Sequence, residues 1–295
     1  MKKITLLTSV LALAACGGGS GGGSGGGSAV PTVDFNIPVQ ELANATFKSD
    51  GEKVTFGVNG DSINSVTFYD DEEIDAIIHI KPNSKDVEKI TVFEEGQEYE
   101  LAVTQGTLEM FGKQKGLKHT DFGYVDAIIQ ENGQDEHIRS YIIGGFNSKH
   151  IEQPEATKTF HGDAYATVYS DRYSVEKDEY TTKESYISTN NAKLTVNLEE
   201  DHYLLSADFT QSENPWYKVT IDDKGDLNLE GNVAVDKEYQ VNNMEQDFYG
   251  NVSSGFFGEN GVATEVVSEF YGVGMTGEDE NHHITIDGIF GGVAK

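Results

Sequence analysis

Gln246 to Lys295 reads QDFYGNVSSGFFGENGVATEVVSEFYGVGMTGEDENHHITIDGIFGGVAK, and this stretch decides the fold class. Aromatic and β-branched residues, with glycine beside the aromatics, fill Phe248–Phe257, Gly261–Tyr271 and His282–Phe290. Asn260-Gly261 separates the first two segments, and this dipeptide favours the positive φ of a tight hairpin turn. Glycine inside a strand usually marks a bulge or a sharp bend. The pattern therefore predicts the closing strands of a small barrel, at the C-terminal wall of the last domain.

Working back from there, short segments of alternating polarity continue to about residue 151. Leu194, Val196 and Leu198 alternate with polar neighbours, and several similar runs are separated by turn residues. Many short strands with regular turn signals are typical of an antiparallel sandwich or barrel and not of βαβ units. About eight strands are expected, a number whose interior side chains can just fill a barrel. With a junction at Gln153-Pro154, the sequence predicts a C-terminal eight-stranded antiparallel β-barrel domain at residues 151–295.

Residues 31–150 also read as strands and predict an N-terminal antiparallel β handle domain, so the fold class is mainly β. Alternation places Ile63, Ser65, Thr67 and Tyr69 on one face of a strand and Val66 and Phe68 on the other. The apolar run Ile74–Ile80 is typical of a buried strand. A short helix is expected after Pro38, within Phe35–Ala45.

The N-terminus reads MKKITLLTSVLALAAC, a charged pair followed by a short apolar segment and small residues before a cysteine. This is the pattern of a bacterial lipoprotein signal peptide, so residues 1–15 are predicted to be removed and Cys16 to be acylated. Cys16 is the only cysteine. The alternative is that Cys16 is an ordinary signal-peptide residue. Gly17 in place of Asp leaves nothing to oppose sorting to the outer membrane, where the lipid would be the only membrane anchor.

Gly17–Ser28 reads GGGSGGGSGGGS, so residues 16–30 are predicted to be an acylated cysteine with a flexible tether. An engineered linker has the same composition, but a position directly after the cysteine favours a natural tether.

The charge balance is strongly acidic, with 50 Asp and Glu against 21 Lys and Arg and a net charge of −29. This excludes nucleic acid, whose phosphates need basic contacts, and it disfavours an anionic membrane surface. A cationic partner, or solubility at the cell surface, fits better.

Motifs for catalysis are absent from the sequence. Gly272–Gly277 is formally G-x-G-x-x-G, but acidic residues and another strand follow it instead of a helix, so a hairpin loop is the better interpretation. Asp222–Glu230 lacks the spacing of a calcium loop, and Asp70–Glu73 is typical of a solvated turn, with weak calcium binding as the alternative. We predict that the chain is not an enzyme and has no metal site.

The eight histidines raise the question of haem, because a neutral imidazole is able to ligate iron. They are His79, His119, His137, His150, His161, His202, His282 and His283. The adjacent pair His282-His283 points to opposite faces of a strand and is unable to chelate one ion. Surface or hydrogen-bonded roles are the better interpretation for each histidine, so no cofactor is predicted, with haem kept as an alternative.

Seven residues of the C-terminal stretch carry a resemblance. They are Gly255, Phe257, Gly258, Glu265, Gly288, Phe290 and Gly291. Their order is similar to the C-terminal barrel of Slam-dependent surface lipoproteins, a family that includes transferrin-binding protein B, hemophilins and NilC. LKHTDFGY (Leu117–Tyr124) and KTFHGDAYATV (Lys158–Val168) also fit, although His119 replaces an aromatic residue that is common there. The resemblance covers residues 117–295.

This resemblance implies a lipid-anchored protein that a Slam-type outer-membrane translocon exports to the cell surface by reading the C-terminal barrel. The handle, residues 31–150, would then bind a host protein, glycan or haem in host colonisation or nutrient acquisition. Colonisation and haem capture are the two leading versions. A structural surface coat or adhesion protein without a soluble ligand is a third alternative.

Overall fold

The computed structural model describes residues 33–131, 134–174, 179–199, 202–209, 216–222, 227–232, 249–276 and 282–295. The predicted signal peptide, Cys16 and the Gly/Ser tether lie outside these residues. Within the described ranges, no helix has both the length and the apolar character needed to span a bilayer.

Residues 45–146 form a closed antiparallel barrel of eight strands, here called the first body. Each strand pairs with the next, and the first pairs with the last. The strands are β1 (Ala45–Ser49), β2 (Glu52–Asn59), β3 (Ser62–Asp70), β4 (Glu73–Ile80), β5 (Val87–Glu94), β6 (Gln97–Met110), β7 (Thr120–Glu131) and β8 (Gln134–Phe146). The helix expected after Pro38 is a 3₁₀ helix, Val39–Asn44, whose Leu42 side chain is buried.

A bulge changes which residues of β3 face the barrel core. Gly57 pairs with Ser65 and Val58 with Ile63, so Asn64 is an extra residue between two pairs. The extra residue shifts the alternation, and Ile63 is buried together with Val66. The prediction that they lie on opposite faces was therefore wrong. In β4, Ile78 is buried but Ile74 is 41% exposed. The prediction that Ile74–Ile80 is a buried strand therefore holds for only part of its length.

Residues 150–294 form the second body, one nine-stranded sheet in the order β14-β13-β12-β11-β10-β17-β16-β15-β9. A second 3₁₀ helix, Asn147–Lys149, leads into it. The strands are β9 (His150–Ile151), β10 (Lys158–Ser174), β11 (Glu179–Asn197), β12 (His202–Asp208), β13 (Trp216–Asp222), β14 (Leu227–Asn232), β15 (Tyr249–Glu259), β16 (Val262–Thr276) and β17 (His282–Ala294).

The second sheet curls around a single core. Phe160, Leu205, Phe256 and Phe290 belong to one buried cluster, although they come from strands far apart in the sheet order. The three C-terminal segments expected to be strands are β15, β16 and β17, and Asn260 and Gly261 both have positive φ in the turn between the first two. A left-handed turn of this kind is the reason for Asn-Gly at that point.

The mainly β, antiparallel class is confirmed. The fully closed eight-stranded barrel lies in the N-terminal half, where a handle domain of unspecified shape was expected. In the C-terminal half, β10–β17 supply the eight expected strands, and β9 adds a short ninth at the edge of the curled sheet. The domain division near residue 150 stays a prediction.

Candidate functional site

The two bodies meet across an apolar contact, which we call the junction. The first body contributes buried residues from the end of β6 to β8, and the second contributes residues of β15, β16 and β17. They are Phe111, Leu117, Phe122, Tyr141 and Ile143 on one side and Phe257, Val267 and Ile289 on the other. The ring of Phe111 stacks on Tyr165 of β10 with centroids 4.2 Å apart. A buried apolar seam of this kind holds two sheets together because both would otherwise expose aromatic surface to water.

The residues that carry the family resemblance divide between the junction and the second core. Phe257, Glu265 and Gly291 face the first body, whereas Phe290 is fully buried in the core of the second body. Gly288 lies against Phe270 of that core. The remaining two, Gly255 and Gly258, lie in β15, with Gly258 beside a register shift.

Gly291 shows why one of these positions lacks a side chain. A Cβ atom there would lie 2.3 Å from the ring of Phe122, which is completely buried. Glycine therefore allows the first body to approach the backbone of β17.

Glu265 connects the bodies by hydrogen bonds. It is 3% exposed, and its carboxylate accepts the backbone N–H groups of Lys118 and His119 at 2.8 and 2.9 Å and the hydroxyl of Thr120 at 3.0 Å. These donors belong to the LKHTDFGY segment of the first body. Because a buried carboxylate must be fully hydrogen-bonded, the acid of β16 and this segment fix each other's positions.

Asp121, one residue further on, performs a similar task inside the first body. Its carboxyl accepts the backbone N–H groups of Asn36, Gly112 and Phe122 at 2.7, 2.8 and 3.0 Å. Burial raises the pKa of Asp121 to about 7, and the backbone hydrogen bonds, including those from Asn36 and Gly112, act against that rise. The contact with Asn36 fixes the segment through which the chain enters the barrel. Asp121 belongs to the LKHTDFGY segment, but no local sequence pattern marks it as a buried acid.

Arg139 of β8 forms a polar contact beside the junction. Its guanidinium lies over the rings of Tyr124 and Tyr186, 4.2 and 3.8 Å from their centroids, and its Nε donates to Asp126 Oδ2 at 2.9 Å. Tyr186 belongs to β11, so the arginine joins the two bodies by cation–π contact. His137 contacts the same Asp126 carboxyl. Arg139, Asp126 and the two tyrosines are single residues spread over three strands, so no sequence motif indicates that they meet.

A crevice of about 400 Å³ opens where the β1–β2 turn reaches the second body. Its lining includes Asp50 and Gly51 of the turn, Glu269 and Tyr271 of β16, and Asp287 of β17. A smaller hollow of about 180 Å³ on the other side of Asp50 belongs to the first body. These acids come from distant parts of the chain, so no local sequence pattern connects them.

The histidines are dispersed over both bodies. His79 contacts Thr91 Oγ1 at 3.1 Å, and burial lowers the pKa of its imidazole. The His150 ring packs on Phe257, and His119 lies at the junction, 3.9 Å from Glu259. Among the described residues, no three His, Cys, Asp or Glu side chains are grouped so as to hold a metal ion.

The three other acidic or glycine-rich sequences fall, where the structure describes them, on turns and strands. Asp71 and Glu72 form the β3–β4 turn with φ of 48° and 70°. Gly272–Thr276 continues β16 as a strand, and Gly277 lies outside the described residues, as do residues 223–226 of the Asp222–Glu230 stretch. The next element that the structure describes after Thr276 is the strand β17.

The fold and the junction define a class, an antiparallel β protein of two bodies joined by a buried seam. No family model and no curated protein matches the chain. Solved structures similar to it include transferrin-binding protein B from Haemophilus parasuis Hp5, at 12% identity and a TM-score of 0.32, covering 82% of this chain and 53% of that one.

Two further transferrin-binding proteins B are similar. Intact Ap-TbpB with N and C lobes matches at 12% identity and a TM-score of 0.34, with 85% of this chain and 46% of that chain covered. The isotype 1 protein of serogroup B Neisseria meningitidis matches at 13% identity and a TM-score of 0.26, with coverage of 84% and 52%. The chain spans about half the length of these structures. At this level of similarity they define no activity, ligand or partner for it.

Proposed function

We propose that this chain is a surface-exposed outer-membrane lipoprotein, anchored by acylated Cys16, exported by a Slam-type translocon, and bound to a host-derived ligand in colonisation or nutrient acquisition. The observation that carries the proposal is the placement of the seven resemblance residues. All of them lie in three neighbouring strands, β15, β16 and β17, of which β16 pairs with both of the others. Their positions are on both faces of the sheet, in the junction and in the core, so the pattern supports these three strands as one structural unit, the part of the chain that the resemblance gives as read by the translocon.

The charge distribution of the first body supports a ligand-binding role at one end of its barrel. Antiparallel order places the β1–β2, β3–β4 and β5–β6 turns at the same end. These turns and their flanks carry Asp50, Glu52, Asp70, Asp71, Glu72, Glu73, Glu94 and Glu95. The opposite end carries Lys81, Lys85, Lys113, Lys115, Lys118 and Lys149, but Lys85, Lys113, Lys115 and Lys149 are paired with carboxylates. The acidic turns are therefore the end with an excess of one charge, and such an excess orients a cationic partner and raises its rate of association.

Export is tested by surface labelling in cells that contain or lack a Slam-type translocon. We expect protease-accessible protein on intact cells only when the translocon is present. A Cys16→Ser chain should be absent from the cell surface in both strains. Equal surface display with and without the translocon would remove this part of the proposal.

Ligand binding is tested in a colonisation assay with the chain deleted, restored, or restored with the β3–β4 acids changed as Asp70→Asn, Asp71→Asn, Glu72→Gln and Glu73→Gln. A matched control neutralises Lys81 and Lys85 at the other end of the barrel. Equal export with reduced colonisation by the acid variant alone supports binding through the acidic end. If all exported variants colonise equally, the structural coat interpretation is favoured instead.

Haem capture remains the second candidate, and the scattered histidines are the observation that makes it testable. Haemin is added to the purified chain and the visible spectrum is recorded. A saturable Soret band that disappears on a single His→Ala change would establish histidine ligation. A spectrum identical to free haemin would eliminate the haem version and leave a protein or glycan ligand.

A further inference from the structure

Three carboxyl groups from three elements meet where the first body touches the second. Asp50 lies on the β1–β2 turn, Glu269 on β16 and Asp287 on β17, and all three line the 400 Å³ crevice. The turn contacts the sheet directly, because the Gly51 N–H donates to Glu269 Oε2 at 3.2 Å. The carboxyls therefore lie at a contact whose two sides belong to different bodies.

Lys48 is the cation that faces this group. Its Nζ lies 3.5 Å from Glu269 Oε2 and donates to Ser253 Oγ at 3.1 Å. Glu269 Oε1 is buried and has no hydrogen-bond partner within the described part of the chain. Three carboxyls against one ammonium leave an excess of negative charge if all of them ionise, and an unsatisfied buried oxygen adds to the cost of that state.

The other titratable groups around the crevice do not supply the missing charge. Tyr271 of β16 and Tyr141 of β8 face Asp287, and burial raises the pKa of both phenols, so they stay neutral. Arg139 of β8 interacts with Tyr141 and is paired with Asp126. In the adjoining hollow, Lys53 lies over the Tyr69 ring, and Asp75, Asp70 and Glu52 add further acids.

The pKa values of the three carboxyls move in one direction. Burial raises the pKa of Glu269, Lys48 opposes that rise and Asp50 adds to it. Burial, followed by the charges of Asp50 and Glu269, raises the pKa of Asp287 well above its usual value. Partial removal of the Asp50 carboxyl from water raises its pKa too, although the residue as a whole remains exposed.

We propose that Asp50, Glu269 and Asp287 form a pH-sensitive clasp between the two bodies, which closes when they hold protons and opens when they ionise. A raised pKa means that the closed form binds more protons than the open form. The stability of the closed form is therefore complete below about pH 4, the ordinary carboxyl range, and is lost as the pH rises through the raised pKa values. A body that swings on the remaining junction would expose the crevice at neutral pH.

Pulsed electron paramagnetic resonance measures the opening directly. Nitroxide labels are placed at Val58→Cys in the first body and Tyr249→Cys in the second, two exposed uncharged sites, in the full chain carrying Cys16→Ser. We expect a population at longer distance to grow from pH 5 to pH 8. Each unit by which a pKa is raised in the closed form multiplies the ratio of open to closed molecules by up to about tenfold.

Two variants and one control keep the test decisive. Asp287→Asn and Asp50→Asn each remove one charge and should reduce the pH-dependent change in distance. The second variant preserves the fold, because asparagine tolerates the turn's φ of 50°. Asp71→Asn makes the same change at φ 48° on the β3–β4 turn and should leave the distance change intact. An unchanged distance between pH 5 and pH 8 in the parent chain, or an equal response of all three variants, would overturn the clasp.

Discussion

Replacing Glu265 with alanine should show how much the hydrogen bonds of the junction contribute to the free energy of unfolding. The change removes the acceptor for the N–H groups of Lys118 and His119 and for the Thr120 hydroxyl, all within 3.0 Å. Hydrogen bonds to a charged group contribute about 1.5–3 kcal/mol each and are not additive. Because the donors are left unpaired in a buried place, we expect the free energy of unfolding to fall by about 3–5 kcal/mol.

Thermal unfolding followed by circular dichroism measures this loss. For a chain of this size, the expected free-energy change lowers Tm by about 10 °C. Glu265→Gln keeps one acceptor oxygen but places an amide N–H donor against a backbone N–H. Its Tm should therefore lie between the Tm of the parent chain and that of Glu265→Ala. Glu259→Ala is the matched control, because Glu259 is an exposed partner of Lys149 and a surface pair contributes little. If Glu265→Ala lowers Tm no more than Glu259→Ala does, the role assigned to Glu265 is refuted.

Three further outcomes are expected. Gly291→Ala places a Cβ 2.3 Å from the buried Phe122 ring and should cost about 1–3 kcal/mol in denaturant unfolding, whereas Gly255→Ala, whose nearest neighbour is 3.1 Å away, should cost less. Arg139→Lys keeps the charge but loses the planar stacking on Tyr124 and Tyr186, so a loss of about 1–2 kcal/mol should appear, and a neutral result would contradict the cation–π assignment. Cys16→Ser should move the protein from the detergent phase to the aqueous phase on Triton X-114 partitioning; unchanged partitioning would exclude acylation at Cys16.

Many of the strands were predictable from local patterns, because alternation of apolar and polar residues and turn dipeptides are properties of neighbouring residues, but β1 and β2 gave no such signal. The C-terminal hairpins around Asn260-Gly261 are the best example, since the dipeptide itself demands the positive φ that the turn has. Local alternation did not predict that the side chain of Ile63 faces the barrel core. A single extra residue, Asn64, reverses the alternation, and the bulge that accommodates it depends on the partner strand β2.

The sequence by itself determined an all-antiparallel protein with a candidate lipidation site and a set of glycine, aromatic and acidic residues in the last three strands. It did not determine what those residues contact. Only the tertiary structure showed that Phe257, Glu265 and Gly291 face the first body, and that Asp50, Glu269 and Asp287 share one crevice. The physical reason is that strand patterning is set by residues one or two positions apart. The junction and the crevice depend on how two separate sheets lie against each other, and their partners are more than a hundred residues apart in the chain.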